Sequence, residues 1–243
     1  MLTFNVESWV AIAPGLAKEE DWKSWLLNRY PIAQSFEKDS LKQMPPLLRR
    51  RLNTLGKSAV EAVLALGVEE EECIPSVFSS RHGDTGLTLS LLEEMGRDEP
   101  MSPKGFSLAV HNAVAGLYTI FCKNTSNVTA ISAVDDLVVN SLIESVGQLQ
   151  TAERVLCVIY DMPLPELYRP YSSGPSFPYA IAVVLSRSQG ESYLFEQVHS
   201  KPTGMESNSE VDSLDFLSLL TGVTSEMVSK SNGAAWVIKK AAH

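Results

Sequence analysis

A serine pair, an arginine, a histidine and an aspartate stand together in Ser79-Ser80-Arg81-His82-Gly83-Asp84, a small-residue turn between an apolar run and a helical pattern. A strand that delivers polar side chains to the start of a helix is a common way to build an active site, because the first amides of the helix are unpaired and attract negative charge. Acyl transfer or thioester hydrolysis at this turn would need a serine activated by His82, with a third group orienting the ring. No G-x-S-x-G elbow surrounds Ser79 or Ser80. The competing interpretation is a hydrogen-bonded turn that fixes the strand-to-helix junction and does no chemistry.

The other reactive groups are scattered. Cys73, Cys122 and Cys157 are odd in number and widely spaced, with no C-x-x-C pair and no His–Cys cluster, so neither a disulfide framework nor a metal site is expected. Cys122 and Cys157 flank or occupy strand patterns and read as small buried hydrophobes; Cys73, behind four glutamates, is a poor nucleophile. Ser132, Asp135 and Asp136 precede a helical pattern, where a carboxylate caps exposed amides for about 1 kcal/mol.

The net charge of −9 argues against a nucleic-acid partner, which needs clustered cations. Arg49-Arg50-Arg51 is one isolated basic cluster, and Glu69 to Glu72 read as a solvated acidic loop. Reduced cysteines fit a cytoplasmic protein. The first residues lack the basic start of a signal peptide, and no run of about 18 apolar residues offers a membrane span.

Positioning these groups requires a sheet. Strands are expected at Phe4–Ile12, Ser76–Ser80, Val128–Ala133, Arg154–Tyr160, Tyr179–Ser186, Ser192–Gln197 and in the final Gly-Ala-Ala-Trp-Val-Ile-Lys-Lys. Arg154–Tyr160 has so little polar character that it belongs at the sheet's centre. Helices are expected at Glu19–Tyr30, Leu47–Leu66, Leu87–Met95, Phe106–Phe121, Leu137–Leu149 and Ser213–Leu220. Asp161–Pro178, with five prolines, is a long loop, and 200–212 is polar and turn-rich. The alternation predicts a single α/β domain, a mixed sheet flanked by helices on both faces.

Two stretches together resemble the β-ketoacyl synthases of the thiolase superfamily. One is Pro45–Leu66, similar to the arginine-rich helix early in that fold. The other runs from Ser76 to Ile120, and its core, His111-Asn112-Ala113-Val114-Ala115-Gly116, resembles the N-x-V-A-G helix before the nucleophile strand. The resemblance covers roughly residues 1–190, is nearest to the chain-length-factor-like proteins of aryl polyene pathways, and implies a single thiolase-like domain over residues 1–243, the ketosynthase N-terminal half without the C-terminal half of the full fold. Catalytic members carry a cysteine in a T-A-C-S/T-S-G elbow, where the helix dipole favours the thiolate. Following the match forward puts Asp135 at that position, with Val134 or Ala133 one or two residues away, and Leu137, Val138 and Val139 where small residues would follow.

The family's C-terminal histidine pair has no counterpart either: His82 and His111 precede the elbow, and His199 and His243 lack a matching context. The resemblance therefore implies a non-catalytic subunit, without cofactor or metal, paired with a full-length ketosynthase and shaping its acyl tunnel. Phe106, Leu117, Tyr118 and Phe121, with His111 and Asn112, are the expected tunnel or interface residues. Half a thiolase-like fold should leave one side of its sheet uncovered for the partner. The run from Val110 to Ile131, with Lys123 its single charge, suits that interface. Contact with an acyl carrier protein, itself acidic, would fall to Arg49–Arg51, whose stems could equally pack on the helix.

Overall fold

The structure, a computed structural model, describes residues 2–36, 41–68, 72–172, 174–198, 211–230 and 235–241. The chain runs β1 (Leu2–Ile12), α1 (Glu19–Asn28), α2 (Pro46–Arg49), α3 (Thr54–Ala65), β2 (Ser76–Ser80), α4 (Thr85–Gly96), α5 (Pro103–Leu108), α6 (Ala113–Cys122), β3 (Val128–Ser132), α7 (Leu137–Gln148), β4 (Arg154–Asp161), β5 (Tyr179–Ser186), β6 (Glu191–Val198), α8 (Asp212–Leu220), β7 (Glu226–Lys230) and β8 (Ala235–Lys240). All strands join one sheet in the order β3-β2-β4-β5-β1-β6-β8-β7. β2 is parallel to both β3 and β4, and every other pairing is antiparallel.

The sheet separates two cores. Along β4, Val155, Cys157 and Ile159 enter one core while Leu156, Val158 and Tyr160 enter the other, the period-two alternation of a strand buried on both faces. α1, α7 and α8 cover the first face. α1 is also tied by the Trp22 indole, which donates to the Ala11 carbonyl at 2.8 Å. α3 and α6 cover the second. Among the described residues, the expected bare apolar face is therefore not found. Toward the β6–β8–β7 end the second face carries polar groups such as the Glu196–Lys239 ion pair at 3.2 Å.

Two of the anticipated helices are broken. Leu47–Leu66 is α2 and α3, divided because Asn53 leaves helical geometry and caps α3, its side chain accepting from the Gly56 amide at 3.0 Å. Phe106–Phe121 is α5 and α6, divided at Ala109–Asn112, where His111 turns toward the sheet and its Nε2 lies 2.7 Å from the Ile131 carbonyl of β3. β7 was not anticipated at all. Glu72, the one described member of the acidic run, pairs with Arg154, which also holds Glu7 through two bonds of 2.8 and 2.9 Å. Residues 69–71, the polar stretch through residue 210, and His199 and His243 lie outside the described residues.

Candidate functional site

The sequence directs attention to the turn between β3 and α7. Residues 133–136 are Ala-Val-Asp-Asp, and Asp136, the residue before α7, adopts a left-handed conformation (φ 55). Asp135 is exposed. Neither aspartate caps the helix as expected. The cap comes from Asp212 at the start of α8, whose carboxylate accepts from the Val138 amide at 2.8 Å. Asp136 instead accepts from the Ser229 hydroxyl. No spacing rule could have found Asp212, 74 residues away in sequence.

Arg81 fastens the same turn from β2: its Nε donates to the Val134 carbonyl at 3.0 Å, and the Ser132 hydroxyl donates to the Arg81 carbonyl at 2.9 Å. Asp161, at the end of β4, accepts from the Met162 amide at 2.9 Å. Burial pushes Asp161 up to about 7, against the pull of that amide and of the Arg81 charge. Burial likewise pushes Asp212 up to about 6, opposed by the Val138 amide and reinforced by Asp136.

The serine–histidine arrangement needed for a hydrolase does not form. Ser79 is fully buried, and His82 reaches across to Ser172 at 3.2 Å, not to either serine. Burial, then the Arg81 charge, holds His82 below its ordinary range. Ser80 meets His111 Nε2 at 3.3 Å, but the shorter contact of that nitrogen to the Ile131 carbonyl requires it to carry the proton, so it cannot take one from Ser80. Ser80 also accepts from the Gly83 amide at 3.1 Å.

Asp84 caps α4 through the Leu87 amide at 2.9 Å, and its other oxygen accepts from the Asn53 side chain. The Ser-Arg-His-Gly-Asp turn is thus a junction that fixes β2, α3, α4 and the β3–α7 turn together. Gly83 has φ 65, and a Cβ there would lie 2.9 Å from His111 Nδ1. Gly83→Ala should therefore destabilise by more than the about 1 kcal/mol expected for Asp84→Ala, which removes a cap. Thermal unfolding of the two variants tests the ranking.

Of the expected tunnel residues, Phe106 is 60% exposed on α5, Asn112 is exposed before α6, and Phe121 is half-buried. Leu117 and Tyr118 lie in the chain's own second core, Tyr118 against Phe78 at 5.4 Å between ring centroids. His111 and Leu117 line a small cleft, partly open to solvent, with Arg51, Asp84, Val110 and Tyr160 among its other walls. Both unforeseen helix breaks border this cleft. Cys73 is exposed, while Cys122 and Cys157 are buried as expected. Among the described residues there is no cluster of metal-ligating side chains, and no helix is long and apolar enough to cross a membrane.

Comparison with known proteins agrees with this architecture. A chain in the complex of a ketosynthase with its chain length factor from Xenorhabdus doucetiae is similar at 27% identity and TM-score 0.82, over 98% of this chain and 100% of that one. A chain in the complex of a type II polyketide synthase acyl-carrier protein with its ketosynthase is similar at 13% identity and TM-score 0.65, over 99% of both chains. The ishigamide ketosynthase/chain length factor gives 11% and 0.62, over 77% of this chain and 63% of that one. The last two show the fold alone. No curated protein sequence matches. The mixed sheet, matched over 98% of the chain at TM-score 0.82, is that of a thiolase-like protein of the ketosynthase type. The chain belongs to the β-ketoacyl synthase family, whose N-terminal-domain profile matches residues 22–238.

Proposed function

We propose that the chain is a non-catalytic subunit of the chain-length-factor kind, pairing with a full-length β-ketoacyl synthase and shaping its acyl tunnel during polyene, polyketide or fatty-acid-type chain elongation. The observation that carries this reading is the β3–α7 turn. A ketosynthase thiolate needs the free amides of that helix start, whereas here residues 133–136 hold no thiol and the Val138 amide is bonded to Asp212. A carboxylate at the helix start would also oppose a second negative charge there. The likeness to a chain of a ketosynthase–chain length factor complex, complete over that chain's length, supports the same reading.

The surface for pairing would be the edge of β3, which ends the sheet, together with the outward apolar side chains of α4, α5, the α5–α6 break and α6. Leu92, Met95, Phe106, Val110 and Ile120 are between 47% and 63% exposed. An obligate interface of about 2,000 Å² or more would bury such a patch. The exposed Arg50 and Arg51, beside half-buried Arg49, would offer an acidic carrier protein its contact, indirectly to the chemistry in the partner.

Co-expression with a full-length ketosynthase should yield a one-to-one complex, measured by size and mass. Ile120→Glu should split it without unfolding the chain, since Ile120 is 63% exposed. A well-behaved monomer or homodimer that ignores the ketosynthase would overturn the reading.

A further inference from the structure

Among the described residues, four buried polar atoms beneath the β3–α7 turn have no hydrogen-bond partner in good geometry: Arg81 Nη1, Asp161 Oδ2, Tyr179 Oη and Ser213 Oγ. They come from four separate elements: the residue after β2, the end of β4, the start of β5 and the first turn of α8. Asp161 and Tyr179 are directly opposed across the β4–β5 pairing. The Arg81 charge acts on Asp161, Tyr179 and Asp212, and the Ser213 hydroxyl lies close enough to Tyr179 to temper the effect of burial on its phenol. The Ser213–Tyr179 contact is too long or too bent to satisfy either hydroxyl fully. Among the described residues no ion pair joins Arg81 to either carboxylate.

Four such groups left unsatisfied in a protein interior would consume a large share of a domain's net stability. Their chemistry restricts what can satisfy them. The occupant must accept from the guanidinium and from hydroxyls, and donate to the Asp161 oxygen. An anion would meet Arg81 but be repelled by Asp161 and Asp212; a cation would suit the carboxylates but face Arg81. A neutral molecule with both donor and acceptor capacity fits, and water is the smallest.

We propose that Arg81, Asp161, Tyr179 and Ser213 enclose an internal hydration site, in which water bridges the Arg81 guanidinium to Asp161 and joins the two hydroxyls to the same network. The bridge links β2, β4, β5 and α8 under the turn that Arg81 and Asp212 hold from above, and does so without a direct ion pair. It is independent of any pairing with a ketosynthase.

The test is a crystal structure of the full chain at a resolution that orders water, with oxygen-17 relaxation dispersion to count long-lived internal water in solution. Density within hydrogen-bond distance of at least three of the four atoms is expected, and Tyr179→Phe combined with Ser213→Ala should lower the long-lived count by at least one molecule. Arg81 and Asp161 in direct contact with no density between them would overturn the proposal. So would an anomalous peak at the site in crystals grown with bromide. The wild-type density decides by itself if the double variant does not fold.

Discussion

Tyr118→Ala should cost the chain a large part of its stability, whereas Phe106→Ala should cost it almost none. Tyr118 is 2% exposed and packs on Phe78, in the core between α6 and the sheet. Truncating a buried aromatic costs about 3–5 kcal/mol, out of a total of about 5–15 kcal/mol for a typical domain. At roughly 2–4 °C per kcal/mol for a chain of this size, Tm should fall by roughly 6–20 °C. Tyr118→Phe, which keeps the ring, should stay close to wild type. Phe106, 60% exposed, lies where surface substitutions shift stability by about 0.5 kcal/mol or less. A longer product from the Phe106→Ala complex would mark this ring as a tunnel wall. Unchanged products from an intact complex would remove Phe106 from the tunnel. Tyr118→Ala cannot serve that purpose, since loss of its own fold would change the products whatever the tunnel does.

The sheet was legible because its strands are strongly patterned. Val155–Tyr160 is a continuous apolar run, and its central position follows from having to satisfy two cores at once. The helix breaks were not legible, because the apolar spacing of Leu47–Leu66 and of Phe106–Phe121 continues through them. What ends each helix is a polar side chain taken up elsewhere: Asn53 by Gly56 and Asp84, and His111 by Ile131 and Ser80. Both breaks border one cleft, so the local departures from periodicity fall where the structure departs from a plain α/β layer. β7 was missed because Glu226-Met-Val-Ser-Lys is short and polar at both ends, the composition of an edge strand. The capping of α7 followed the expected physics with an unexpected donor of the carboxylate. A helix start attracts an anion, but only the tertiary fold decides which segment supplies it.

Acidifying the protein from pH 8 toward pH 6.5 should make it more stable. Burial holds Asp161 at about 7 and Asp212 at about 6, both above the ordinary value of 3.8. Between these limits the folded chain binds more protons than the unfolded one, so stability falls as pH rises and is recovered as pH falls. The window is set by the raised values: the gain begins near pH 7 with Asp161, and Asp212 adds to it near pH 6. His82 acts in the opposite sense. Burial and Arg81 keep it below its ordinary 6.5, so the unfolded chain takes up that proton first, and stability is lost as pH drops below about 6.5. The two effects predict a rise from pH 8 that flattens near pH 6.5. Asp161→Asn, which keeps an acceptor for the Met162 amide, should abolish the rise. His82→Gln should extend it to lower pH. Denaturant midpoints across this range are the measurement. A flat wild-type profile, or a slope unchanged in Asp161→Asn, would show that Asp161 is ionised against Arg81 throughout and that burial is outweighed by that charge.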